Sequence, residues 1–374
     1  MAYNTLTGLR ASSEAAATSF WDGTAGALDT NGMPRLTRAY YMKTFLAVAE
    51  GERLHARWGQ QTTLPQGNGN TVMWRRYLKL TPATTPLTEG VTPTGSNLAY
   101  ENVLGTVKQF GDWVGITDIV TYLHPDNTLA QVTKALARQA ADTEEVVIRD
   151  IINAGTSFLR VTADSATYAS QTTGLGARTT VAGGITKKAL DTGTTMLEGA
   201  DAKYIHGMMG ASQKVGTDPI GPSFICIIHP HVAHDMYNEF SGLGDAWTPR
   251  EKYASGSVAY PTEIGKYRNI RFVTSTFAKV WADAATGIST GGTTAAATFR
   301  ATTGTSPDVY SCLLIAKDAY GVIKLAGSSG TYYDAPGGQG DPVHQRSTAA
   351  WKRMMGAAIL NDDNMVRIEC LARW

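Results

Sequence analysis

The sequence is short of most features that mark enzymes, secreted proteins and membrane proteins. It has three cysteines in 374 residues. Cys226, Cys312 and Cys370 are far apart and each sits in an apolar stretch, which fits buried free thiols in a reducing compartment rather than a disulfide framework. No run approaches the roughly 18 apolar residues of a membrane span, so no membrane contact is expected. No N-terminal stretch pairs basic with apolar residues as a secretory signal does, so the expectation is a chain made and folded in a cytoplasm. Charge is sparse, at 17% of residues with a net of +1. A dedicated nucleic-acid binder would carry a clear basic excess, although a wall that merely faces nucleic acid would not. Catalytic signatures are missing too. The glycine-rich pieces at Gly174–Gly176, Gly207–Gly210 and Gly337–Gly340 match neither a phosphate loop nor a dinucleotide fingerprint, and Lys187 and Lys214 are not preceded by glycines at the required spacing. No Gly-x-Ser-x-Gly elbow occurs. Asp362 and Asp363 read as turn residues. No cofactor is implied.

One cluster invites a metal: Cys226, His229, His231 and His234. A helix opening at Pro230 would set His231 and His234 about one turn apart. No fourth ligand follows at a recognisable spacing and no His-Glu-x-x-His pattern is present. The plainer reading is a core cysteine followed by histidines at a helix start. No metal is assigned.

The informative stretch is Thr71–Ile119. Thr71–Leu80 is rich in β-branched, aromatic and aliphatic residues. Val72, Trp74, Leu78 and Leu80 fall on one face, with Arg76, while Met73, Arg75, Tyr77 and Lys79 fall on the other. The return limb, Leu98 to Ile119, has no proline and would reach roughly 65–70 Å at ~3.3 Å per residue. Between the limbs, Pro82, Pro86 and Pro93 remove ladder donors, and Gly90 and Gly95 loosen the chain. A two-stranded ribbon with apolar groups on both faces is marginal in water. An arm this long outruns its own domain, so its outer part is expected to lie on another copy. Arg75 and Arg76 point to opposite faces, which suits separate ion pairs better than a phosphate clamp.

Elsewhere the pattern mixes helices and strands without regular alternation, which indicates an α+β fold. Residues 1–32 are small and polar with isolated aromatics, and a helical period starts at Pro34 and runs to Glu50. The strongest helix spans Leu129–Ala154. Its apolar stripe includes Val132, Leu136, Ile148 and Ile152, and its wet side Lys134, Arg138, Asp142, Glu145 and Arg149. Thr128 with Gln131 forms a capping box, Gly155 suits a C-cap, and Arg138–Asp142 and Glu145–Arg149 are i,i+4 pairs. Residues 156–185 read as a loop-bearing connection. A helix is expected over Lys187–Gly199, opening at Thr186, and another from Pro230. Strands are expected at Phe224–Ile228, Arg271–Thr276, Val309–Ala316 and Tyr320–Leu325. Ala282–Gly304 reads as a flexible loop. Met354–Leu360 and Met365–Leu371 read as a hairpin around Asn361–Asn364.

Three motifs carry a family resemblance: Thr71-Val-Met-Trp-Arg-Arg-Tyr77, Thr84-Thr-Pro-Leu-Thr-Glu-Gly-Val-Thr-Pro-Thr-Gly95 and Thr106-Val-Lys-Gln-Phe-Gly-Asp-Trp113. They resemble the major capsid proteins of tailed bacteriophages with the Hong Kong 97-type capsid fold, most strongly over Arg35–Gly155. The resemblance implies an N-terminal arm with its helix (1–60), an extended loop overlapping an adjacent subunit (61–108) and a peripheral domain with a spine helix (109–180). An axial domain (181–344) and return strands to the peripheral domain (345–374) complete the division. Many copies would form hexamers and pentamers that close into an icosahedral shell around double-stranded DNA, held without sequence-specific contact. The shell would be assembled in the host bacterial cytoplasm and found in the virion. A portal protein, and separate scaffold and decoration proteins, are the partners such a shell implies. No long charged helical segment stands where some relatives carry a fused scaffold. The residues expected at the contact between subunits are Trp74, Arg75, Arg76, Tyr77, Lys79 and Glu89, aromatics for buried area and charges for register. Two other readings stand beside this one: an encapsulin-like nanocompartment shell, and a cytoplasmic metal-dependent enzyme built on His229, His231 and His234.

Overall fold

The computed structural model describes residues 53–123, 128–161, 168–169, 178–207, 221–240, 247–253, 260–285, 289–290, 293–294, 299–303, 306–334 and 343–373. The helix expected from Pro34, the segment before it, Lys214, and all or most of each glycine-rich piece lie outside these residues. The strands, in chain order, begin with β1 (Gln60–Leu64), β2 (Thr71–Tyr77), β3 (Tyr100–Thr106) and β4 (Lys108–Thr117). A short helix α1 (Asp118–Leu123) and the long helix α2 (Thr128–Ile152) follow. Then come β5 (Phe158–Val161), β6 (Tyr168–Ala169), α3 (Lys187–Gly199), β7 (Phe224–Ile228), α4 (Pro230–Phe240) and β8 (Trp247–Pro249). The remaining strands are β9 (Glu263–Tyr267), β10 (Ile270–Thr274), β11 (Val280–Trp281), β12 (Ser289–Thr290), β13 (Thr293–Thr294), β14 (Val309–Ile315), β15 (Tyr320–Leu325), β16 (Gly330–Asp334), β17 (Arg346–Ile359) and β18 (Met365–Leu371).

Two sheets make the body. The nine-stranded sheet runs β6-β5-β18-β14-β7-β10-β9-β8, with β11 beside β14. Its central strands β7, β14 and β18 are buried at every residue, and β7 and most of β14 are apolar on both faces, while β18 buries Arg367 and Glu369 among its apolar residues. That is why β7 and most of β14 read as continuous hydrophobic runs rather than alternating ones. One face packs under α3 and α4, where Leu190, Leu197, Val232 and Met236 meet Phe224, Cys226, Cys312 and Cys370. The three cysteines are therefore core residues, and all are reduced. The other face, with Ile225, Leu313 and Ile315, meets Ile148 and Ile152 at the end of α2.

The five-stranded sheet runs β1-β15-β17-β16, with β4 also paired to β17. The N-terminal half of α2 lies against this sheet, where Leu136 packs on Ala349 and Trp351. So α2 is a beam with one end on each sheet. At 25 residues it spans about 38 Å at 1.5 Å per residue.

Several elements differ from the sequence reading. Residues 346–371 are not a hairpin: β17 pairs with β4, β15 and β16, whereas β18 pairs with β14 and, in parallel, with β5. The cause is the turn between them. Asp362 accepts bonds from the backbone N–H groups of Thr156 and Ser157, which pins the turn at the end of α2 and directs the chain along β5. Gly155 is not a left-handed cap. A side chain there would strike Asp362 Oδ1 at 2.6 Å and the Met365 methyl at 2.8 Å, so its need is close approach. The connection 156–185 contains β5. The expected axial range 181–344 does not remain in one sheet, because β15 and β16 join β17. Of Ala282–Gly304, the described part is tied down: Ala285 is buried, and Asp283 and Asp308 hold Thr302 and Thr303. Thr128 is itself the first residue of α2.

Glu145 belongs to the interior, not to the wet side of α2. It is 1% exposed, and its Oε1 accepts the N–H groups of Leu54 and His55 and faces the His55 ring at 2.6 Å. Neighbouring Asp142 takes Arg53, while Arg149 turns to Asp150 and the Phe277 carbonyl, so the helix-surface pair Glu145–Arg149 does not form. Burial alone would raise the Glu145 pKa, but the bonds from His55 and Leu54 outweigh it and hold the carboxyl below its ordinary 4.5. A depressed carboxyl stabilises above that ordinary value and loses its contribution as pH falls through the folded one. Glu145→Ala should therefore cost about 3 kcal/mol at pH 7 by urea unfolding of the subunit. The gap from wild type should shrink below about pH 4.5, where wild type loses the same contribution.

Candidate interaction arm

The arm is the β2–β3 ladder, paired in register from Thr71↔Thr106 to Tyr77↔Tyr100. The alternation seen in the sequence sorts its side chains. Val72 and Trp74 face inward, onto Leu64, Val107 and Ile323. The Trp74 ring lies on bare backbone: a Cβ at Gly321 would come within 2.7 Å of it, and one at Gly105 equally close. Larger residues at either position would lift the ring and the arm with it. Met73, Tyr77, Tyr100 and Leu104 face outward and are each more than half exposed.

The return limb is not one strand. It breaks at Val107, whose N–H bonds the Asn70 carbonyl; β3 then belongs to the arm and β4 to the five-stranded sheet. Past the bond from Leu78 N–H to the Ala99 carbonyl the two limbs part. The loop between them turns at Thr88–Val91, closed by a bond from Val91 N–H to the Thr88 carbonyl. Gly90 there has φ +78°, the conformation that a type II turn requires at its third residue. Every residue from Arg75 to Asn102 is exposed, including Leu80, Leu87, Val91 and Leu98.

The expected contact residues fall into two groups. Trp74 is half-buried against its own sheet and so sets the arm's root. Arg75, Arg76, Tyr77, Lys79 and Glu89 all lie on the exposed part. The two arginines take separate partners, but of the two expected ion pairs only one forms among the described residues: Arg76 pairs with Glu101 at 2.7 Å, whereas Arg75 donates to the neutral Asn102 and stacks 4.5 Å over Tyr100. Tyr77 and Tyr100 meet edge to face at 6.3 Å. Lys79 lies 3.6 Å from Asp201, just past the end of α3, with both side chains open to solvent. Glu89 sits at the tip, at the second residue of the turn. Tyr100 and Leu104, on the outward face, were not singled out from sequence, although the alternation of β3 places them there.

The histidine cluster does not converge. Cys226 is on β7 in the core, and His234 is half exposed, 3.9 Å from Asp235. His229 and His231 pack edge to face at 4.4 Å, and His231 Nδ1 bonds the Tyr310 hydroxyl at 3.0 Å. Burial, with His231 and Arg300 adding like charge, pushes His229 down to about 4. Among the described residues no three His, Cys, Asp or Glu side chains form a group able to hold a metal.

The chain matches no model of a known protein family and no curated protein sequence. Its fold does match solved structures. The capsid of Ralstonia phage GP4 aligns at TM-score 0.60 and 11% identity, over 93% of this chain and 98% of that one. The capsid of Cyanophage P-SCSP1u aligns at TM-score 0.57 and 12% identity, covering 92% and 97%. Cyanophage Pam1 capsid aligns at TM-score 0.57 and 12% identity, covering 93% and 98%.

Because the arm's outer charges are exposed, Arg76→Ala should change the stability of the unassembled subunit by less than about 0.5 kcal/mol. Trp74→Ala should cost about 2 kcal/mol, since it empties the seat over Gly105 and Gly321. Urea unfolding of the two variants measures the contrast. Taken over nearly the whole of its length, the chain has the α+β Hong Kong 97-like fold of phage capsid subunits.

Proposed function

We propose that the chain is the major capsid protein of a tailed bacteriophage, a structural protein with no catalytic role. Many copies assemble as hexamers and pentamers into an icosahedral shell. The observation that carries this reading is the arm: an apolar, water-exposed projection on a body with the capsid-subunit fold. Exposed apolar patches of this kind mark sites of association, and the specific occupant expected for a self-assembling wall is a neighbouring copy. Tyr77, Lys79, Glu89, Arg75 and Arg76 meet that neighbour, and Trp74 holds the arm at the correct angle from below.

In this reading the body around α2 and the five-stranded sheet is the peripheral part, and the body around the nine-stranded sheet is the axial part. The division then differs from the one drawn on sequence, since residues 320–334 go with the peripheral sheet. The near-neutral charge suits a wall that encloses double-stranded DNA without gripping it, because a cationic lining would hold phosphates tightly. Among the described residues no helix is long and apolar enough to cross a membrane. A portal protein, and separate scaffold and decoration proteins, are the partners consistent with this reading, and the assembled shell resides in the virion after assembly in the host cytoplasm.

The test is expression of the chain, alone and with a scaffold candidate, followed by negative-stain microscopy and sedimentation. Closed particles are expected from the native chain. Replacing residues 81–97 by a short Gly-Ser linker should leave subunit unfolding unchanged and abolish closed particles. Normal shells from that variant would overturn the assignment of the arm.

A further inference from the structure

At the end formed by β4, β16 and the first half of β17 the five-stranded sheet is covered on one face only, whereas at β1 and β15 the arm packs on the opposite face. Ser347, Ala349 and Trp351 of β17 turn toward α2, so Thr348, Ala350 and Lys352 turn to the opposite side. On that bare side Trp113 of β4 and Tyr332 of β16 flank Ala350, each being its register partner across β17. Trp113 is 62% exposed and Tyr332 54% exposed. Between them is an open cleft of about 720 Å³. Its floor is low because Ala350 and Gly111 fill little of it. A Cβ on Gly111 would meet the Trp351 carbonyl at 2.7 Å, so the floor cannot be raised there. Lys352 closes one end, its ammonium 5.5 Å from the centre of the Tyr332 ring.

Two aromatic walls over a small-residue floor suit a proline-rich strand, whose rings stack on aromatic faces and whose stiff backbone loses little freedom on binding. The chain itself supplies such a strand, with Pro82, Pro86 and Pro93 in the exposed arm loop. The carboxylate at its turn, Glu89, has no ion-pair partner among the described residues. Its own arm does not fill this cleft, since Lys79 leads toward Asp201 beside the other sheet. We propose that the proline-rich arm loop of one copy seats in the Trp113–Tyr332 cleft of the next, with Glu89 meeting Lys352. This rests on the reading of the arm as an inter-subunit contact and adds its receiving surface.

The experiment reads closed-particle yield by sedimentation and microscopy for Glu89→Lys, Lys352→Glu and the two combined, beside Trp113→Ser with Tyr332→Ser. Each single charge reversal and the aromatic pair should lower yield at least tenfold, and the combined reversal should restore most of it. Unfolding of the isolated subunits checks that these exposed changes leave the body intact. A chain carrying Glu89→Cys with Lys352→Cys, assembled and oxidised with glutathione disulfide, should run as multimers without reductant, while each single variant runs as monomer. Normal particles from the cleft variants, or monomers from the oxidised double variant, would overturn the cleft. The arm reading would still stand as long as the Gly-Ser arm chain failed to close shells, so the two failures are told apart.

Discussion

Between Leu78 and Ala99 the chain carries two demands that its own body does not meet together. Leu80, Leu87, Val91 and Leu98 favour burial, while the backbone around them has left its ladder and needs hydrogen-bond partners. Water satisfies the second demand and defeats the first. Folding back onto the body would satisfy the first only where partners for the freed carbonyl and N–H groups existed. The prolines ease this conflict, since Pro82, Pro86 and Pro93 have no N–H to strand on burial and restrict the residues before them to extended forms. The loop thus reaches an isolated subunit's surroundings already stiffened and short of donors, which is the condition in which docking costs least.

A stiff loop is useful only if its root is fixed. The Trp74 ring achieves this by resting on Gly105 and Gly321 in two different strands, so that arm and five-stranded sheet move as one. The sheet is in turn tied to the second body by α2, whose Leu136 end and Ile148–Ile152 end lie in different cores. Polar contacts reinforce the same joints. Glu145 fastens the incoming chain to α2, Asp362 fastens the turn beyond β17 to the helix end, and buried Glu369 gathers Arg160, Arg178 and Arg367 across β5 and β18. Breaking one partner of such buried sets leaves an uncompensated charge, which is why these joints are stiff rather than merely sticky.

What could be read from the sequence was what local pattern determines. Lys187–Gly199 opens with Thr186, whose hydroxyl accepts from Ala189 N–H, and Phe224–Ile228 is a strand with a helix opening at Pro230. The two faces of β2 followed from alternation alone. The failures, apart from the cap expected at Thr128, are long-range. Glu145 looks like a solvated helix residue until residues 54–55, some ninety positions away, come to lie on it. The tail looks like a hairpin because apolar limbs flank turn residues, yet Asp362 is committed to Thr156 and Ser157. β1 is a Gln- and Thr-rich segment with no apolar period, and it is a strand because β15 offers it a parallel edge. Trp113 lay inside a recognised motif, but its partnership with Tyr332 is set by β17 pairing with both neighbours, which no spacing in the sequence encodes.

An arm that docks on a cleft elsewhere on the same chain makes a heterologous contact, in which every subunit gives one loop and receives one. Such contacts close into rings when the rotation between copies allows it. The last contact in a ring is then intramolecular, so its effective concentration is far above that of free subunits. This relaxes what each contact must supply. An exposed pair such as Glu89 with Lys352 is worth about 0–1 kcal/mol, enough to favour one register but too little to trap a misplaced subunit. The larger share must come from covering the aromatic walls and the loop's aliphatic side chains, a term proportional to area and indifferent to small misalignment. Weak register and broad burial together let a wrongly placed copy leave before a ring closes and hold a correct one after it has. A wall built of identical pieces needs both properties in one contact.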